Sequence, residues 1–228
     1  MKRIVAILTL STIFILSGCN NQTQDLPEVS KAHVRVTSTV ATVTRPAESE
    51  NIPETTEEAI EQREGATFRN AIWGDDIDTV KKYETEIALH TLGDDSLCGN
   101  TKVDKYNDVN VYYNFDNNGR LYSGLYGFNL NYSAGGKYIE TYENLKNTII
   151  KLYGEPIVDG IAKYKSQDLI DGFGPEYSLE NGWVAYRTEW IMDNTKISMG
   201  MSSENNEIML GILYADLNYE PDINDSGL

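Results

Sequence analysis

The sequence predicts an α+β domain over residues 67–228, an antiparallel sheet with two helices packed on one face. Three observations predict it. Several runs alternate apolar with polar residues, as half-buried strands require. Two other stretches carry apolar residues at helical spacing. Between two alternating runs, Asn118-Gly119 is the dipeptide that closes a tight hairpin.

The elements follow in order. Phe68 to Gly74 opens the folded part, and Asp75 or Asp76 suits the N-cap of a short helix that buries Ile77 and Val80 and ends near Glu84. After a long polar stretch come strands at Val109–Phe115 and Leu121–Tyr132, joined by Asp116-Asn117-Asn118-Gly119. Val109, Val111, Tyr113 and Phe115 share a face. Tyr138, Tyr142, Leu145, Ile149 and Leu152 then define the longer helix, stopped by Gly154 and Pro156. Strands at Trp183–Met192, Lys196–Ser202 and Ile208–Tyr219 complete the chain, with turns at Asp193-Asn194 and Glu204-Asn205-Asn206. This order suggests two tandem α-βββ repeats with halves at 67–135 and 136–220. An offset of 70 superposes Val80-Lys81-Lys82-Tyr83 on Ile150-Lys151-Leu152-Tyr153, and an offset of 87 superposes Gly124 on Gly211.

The N-terminal part reads differently. Residues 1–18 place Lys2 and Arg3 before an apolar run, Ile4 to Leu16, which as a helix is roughly 20 Å long and too short to span a bilayer. With Leu16-Ser17-Gly18-Cys19 closing the run, the segment resembles the signal peptide and lipobox of bacterial lipoproteins. The resemblance implies that Cys19 becomes an acylated first residue that holds the protein to a membrane from the extracytoplasmic side. Asn20 and Asn21 supply no Asp-type retention signal, which leaves an outer membrane open as the destination. Residues 19–66 hold no aromatic side chain after Cys19 but gather Thr, Glu, Pro27, Pro46 and Pro53, the composition of a disordered tether.

Charge narrows the function classes. The chain carries 19 basic and 35 acidic residues, a net −16, and loses two positive charges more with Lys2 and Arg3. Such a surface repels phosphate backbones, which excludes nucleic acid as a partner. With Cys19 acylated, Cys98 is expected to remain as a lone, inert thiol.

Catalytic patterns are scarce. His90 is the one histidine after the tether, which leaves multi-histidine zinc sites without ligands. Asp75/Asp76 and Asp94/Asp95 could serve as the carboxylate pair of an envelope hydrolase, but such residues are also ordinary caps and turn formers. The loop at Asp116 lacks the twelfth-position glutamate of a calcium-binding loop. No cofactor and no metal is implied. The aromatic load stands out: fifteen tyrosines and three tryptophans. Tyr112 opposes Tyr113 in face, while Tyr122, Tyr126 and Phe128 share one, and aromatic residues on an open sheet are common binding anchors.

Gly74 followed by Val80, and later Leu152-Tyr153-Gly154-Glu155-Pro156, resemble the helix start and stop of the BamE family of outer-membrane assembly lipoproteins and of the tandem-repeat β-lactamase inhibitor protein family. That resemblance implies a sheet surface that binds protein partners and carries no catalytic residue across. The expectation is therefore a membrane-anchored, non-catalytic interaction module of the cell envelope, with Tyr112, Tyr122, Tyr126 and Phe128 as its binding residues. A carboxylate-pair hydrolase and a small-ligand carrier are the alternatives.

Overall fold

The computed structural model describes residues 63–220. Cys19, the rest of the expected leader and the expected tether up to residue 62 lie outside the described residues. Three helices and eight strands follow in the order α1 (Ile77–Tyr83), β1 (His90–Thr91), β2 (Ser96–Val103), β3 (Tyr106–Phe115), β4 (Leu121–Phe128), α2 (Gly135–Tyr153), β5 (Val158–Lys163), α3 (Gln167–Glu180), β6 (Val184–Met192), β7 (Thr195–Glu204) and β8 (Glu207–Asp216). All eight strands form one antiparallel sheet in the spatial order β1-β2-β3-β4-β8-β7-β6-β5.

The α+β class and the antiparallel sheet are as expected, with three helices where two were predicted. Asp76 caps α1, its carboxylate accepting from the Thr79 N–H. α2 ends at Gly154, whose positive φ of 85° favours glycine. α3 escapes sequence reading because Gly174 and Pro175 interrupt it. Gly174 sits at φ 83°, ψ 169°, so two short helical pieces meet at a kink and neither shows a helical repeat long enough to recognise. β1, β2 and β5 were also missed; the first two lie in the stretch read as a long loop between Ile87 and Val109.

Among the described residues, both apolar clusters lie on one face of the sheet. Cross-strand register puts Leu97, Val111, Tyr113, Tyr126, Ile212, Tyr214, Ile197, Met199, Thr188 and Trp190 on that face. Under α2 and α3, Tyr142, Leu145, Ile149, Ile170 and Leu179 pack on Trp190, Met199 and Leu210. Under α1 and the segment before it, Phe68, Ala71 and Val80 pack on Leu97, Val111, Tyr113 and Leu121. Tyr126 and Tyr214 touch both clusters and join them. Fully burying side chains of this size contributes about 1.5–3 kcal/mol each, so these contacts dominate the folding free energy.

Polar ties hold the helices at their ends. α2 has no side-chain cap of its own; the Glu180 carboxylate at the end of α3 accepts from the Gly135 N–H at 2.7 Å and places a negative charge at the α2 N-terminus. The Trp190 indole N–H donates to the Gly154 carbonyl at 3.0 Å, fixing the other end of α2 on β6.

The strand order reads the same from either edge toward the central β4/β8 ladder. α1 and α2 both end on a tyrosine, Tyr83 and Tyr153. The offset of 87 does not fit. A two-fold axis normal to a sheet keeps each face turned the same way, so mates across β4 and β8 must be an even number of residues apart, as Tyr126 and Tyr214 are. Gly124 lies on the helix-covered face and Gly211 on the other.

Candidate functional site

The predicted aromatic residues do not form one open surface. Phe128 is 4% exposed in the core beneath α2. Tyr126 sits on the same face, its ring 5.1 Å from Phe68 and 6.1 Å from Tyr214. Tyr122 stacks on Tyr219 at 4.1 Å at the end of the sheet. The expectation that Tyr122, Tyr126 and Phe128 face solvent together is therefore corrected: helices and the segment around Phe68 cover that side. Alternation within the strand was read correctly, but which side the helices take is not encoded in alternation.

Tyr112 is on the other face, which no described helix covers. Three transverse rows cross it. Cys98, Tyr112, Leu125, Leu213, Ser198, Glu189 and Val158 form one, strand by strand. On one side of it run Ser96, Asn114, Ser123, Ala215, Lys196 and Ile191, with the Asn114 amide donating to the Ser123 hydroxyl at 2.9 Å. On the other side run Asn110, Gly127, Gly211, Gly200, Arg187 and Gly160. Three adjacent central strands thus place glycine side by side in a track, with Gly127 and Gly211 buried. Glycine within a strand weakens it and commonly marks where another group approaches the backbone closely.

The track has a charged end. Glu189 is 5% exposed and receives hydrogen bonds from Arg187 Nε at 2.9 Å, with Lys196 Nζ at 3.0 Å. Burial pushes its carboxyl up, but the bonds from Arg187 and Lys196 outweigh that and hold it below the usual carboxylate range. Tyr112 is 7% exposed, and burial raises its phenol. Cys98 is 3% exposed.

The carboxylate pairs have structural roles. Asp75 accepts from Arg63 Nη1 at 2.6 Å and from the Ile72 N–H at 2.9 Å, and Asp76 is the α1 cap. Asp94 and Asp95 occupy the exposed turn before β2. The buried charge pair is elsewhere: Glu84, 2% exposed, accepts from Arg69 Nε at 3.2 Å and from the Asn70 N–H at 2.9 Å. It clamps the segment before α1 to the sheet, beside Tyr113, whose phenol burial and the Glu84 carboxylate push far up. His90 is exposed on the two-residue edge strand β1. Among the described residues no cluster of three or more histidine, cysteine or carboxylate groups could hold a metal, and no helix is long and apolar enough to cross a membrane.

A carrier would need an enclosed apolar cavity. One depression, about 740 Å³, lies between the end of β4, the start of α2 and the β7–β8 turn and is lined by Asn129, Asn131, Ser133, Glu180, Asn206 and Glu207 among others. Another, about 340 Å³, is bordered by Trp73, Asp116, Tyr122, Asp216 and Tyr219. Both are predominantly polar.

No protein-family description matches the chain, no curated protein matches it, and no solved structure matches it.

Proposed function

We propose that this chain is a lipid-anchored, extracytoplasmic and non-catalytic interaction module of the cell envelope, which docks a protein partner on the sheet face that no described helix covers. The observation that carries this reading is the row of Tyr112, Leu125 and Leu213 on that face, with Leu125 and Leu213 half-buried. The half-buried Leu125 and Leu213 on that face supply apolar anchors of the kind that dominate interface energies. The resemblance to sheet-binding envelope proteins supports the same assignment, as does the palindromic strand order, which fits a duplicated α-β unit with α3 inserted between the first two strands of its second copy.

Affinity capture from detergent-solubilised envelope tests the docking face. Leu125→Ala and Leu213→Ala are expected to weaken capture of a defined partner by about tenfold or more while leaving the fold intact. Retention of full binding by both removes the proposed surface. The anchor has its own test. The sequence holds two cysteines, so acylation of Cys19 and a disulfide between it and Cys98 exclude each other. The intact mass of membrane-extracted protein is expected to show a chain beginning at Cys19 with added acyl groups; an unmodified Cys19 or a retained 1–18 segment overturns the anchor.

A further inference from the structure

The two edges of the sheet are unlike. β1 is two residues long, a blunted edge. β5 is six residues long, exposed along its whole length, and contains no proline. An edge of this kind is a template for another strand, and proteins ordinarily blunt it. Its surroundings are apolar: Ile157 is 60% exposed and Tyr164 is 65% exposed, while Phe173, Tyr177 and Trp183 form an edge-to-face and stacked aromatic cluster just beyond its end.

The unused hydrogen-bonding groups can be assigned. At the end of the β5–β6 ladder the Tyr164 N–H donates to the Trp183 carbonyl at 2.8 Å, between directly opposed residues. Main-chain groups alternate in direction along a strand, so Val158, Gly160 and Ala162 aim theirs at β6, and Asp159, Ile161 and Lys163 aim theirs outward. The side chains of those three lie on the helix-covered face, where Asp159 accepts from Thr188 Oγ1 at 3.0 Å and from Lys146 Nζ at 3.1 Å.

We propose that β5 pairs antiparallel with β5 of a second copy about a two-fold axis at Ile161, which extends the sheet continuously across two molecules. In this register Ile161 opposes Ile161 of the second copy, and Asp159 opposes Lys163 of the second copy on both sides of the axis. All three outward-facing residues meet outward-facing mates, which forms about six main-chain hydrogen bonds. A shift of two residues in either direction unpairs one end and sets a charge opposite Ile161. The only register that uses every free group is thus also the one that matches charge, which is what selects a second copy as the occupant. The net charge of −16 per chain opposes association at long range, but that repulsion is screened beyond about 8 Å at physiological salt, whereas the two Asp159–Lys163 pairs act at contact. An isologous pairing closes on itself and leaves the blunt β1 edges outside, so it yields a dimer and not a fibre.

Analytical ultracentrifugation of the full chain in detergent, over a concentration series, tests this pairing. The wild type is expected to reach the mass of two chains. Ile161→Pro removes an N–H that the monomer does not use, a replacement an edge strand tolerates; it is expected to remain monomeric with an unchanged melting temperature. Lys163→Glu sets like charges opposite each other twice and is expected to raise the dimer dissociation constant about tenfold. Should Ile161→Pro fail to fold, Lys163→Glu decides alone. A wild type that stays monomeric at every concentration, or a dimer that neither substitution weakens, overturns the proposal, as does a photo-crosslinker at position 161 that joins a different protein.

Discussion

Replacing Gly124 with alanine probes how the two clusters are joined. Gly124 lies on the helix-covered face of β4, and the Phe68 ring rests directly on it: an added Cβ would fall inside 3.0 Å of the ring atoms Cδ1, Cε1 and Cγ. Gly124 is not among the glycines with positive φ, so its backbone accepts alanine and the penalty is steric alone. Phe68 is 2% exposed and cannot move without disturbing Tyr113, Tyr126 and Tyr214, whose ring centroids lie 5.3, 5.1 and 5.2 Å from its own. Overpacking of this kind costs about 2 kcal/mol. Phe68→Ala removes the ring and leaves a cavity, a loss of about 4 kcal/mol. In the double variant the new methyl group enters the vacated space, so the two costs should not add: about 4 kcal/mol in total, a favourable coupling of about 2 kcal/mol. Urea denaturation of the four proteins, monitored by fluorescence and circular dichroism, measures the cycle. Additivity within about 0.5 kcal/mol would refute the claim that Phe68 occupies the place of a side chain at position 124.

Two further outcomes follow from the charged groups. Arg69→Met leaves the buried Glu84 carboxylate without its ion pair and should cost about 3 kcal/mol at neutral pH; adding Glu84→Gln should recover most of it, since the amide still accepts from the Asn70 N–H, and thermal melts of the three proteins check this. For Glu189 the folded pKa is depressed below the ordinary 4.5, so its stabilisation is present above about pH 4.5 and is lost as pH falls through the folded value. Arg187 is 62% exposed on its side chain, so solvent screening keeps the contribution below about 1 kcal/mol. Glu189→Gln should be slightly less stable than wild type at pH 7 and converge with it in acid; a constant difference across denaturation curves from pH 7 to pH 3 would refute the assignment.

Elements with a clean period were legible. β3, β6, β7 and β8 alternate, α2 repeats at helical spacing between a glycine stop and an apolar stripe, and each lies within a few residues of its predicted bounds. β4 ends at Phe128, four residues before the expected Tyr132, because Asn129 to Ser133 turn away to border the cleft beside α2. β5 had no readable period: Val158 and Ile161 fall on opposite faces of a strand exposed on both. α3 was hidden by its own kink. The candidate site was less legible than the fold. Tyr112 was found because opposition to Tyr113 is a property of the strand itself. The glycine track was missed because Gly127, Gly200 and Gly211 are widely separated in sequence and become neighbours only when β4, β7 and β8 pair in one register.

Local periodicity determined this chain's class: an antiparallel sheet with helices. Tertiary structure alone decided which sheet face the helices cover, which edge stays open and which side chains share a row. Those outcomes depend on pairing between residues far apart in the chain, and alternation states only that two faces exist, not which one will be buried.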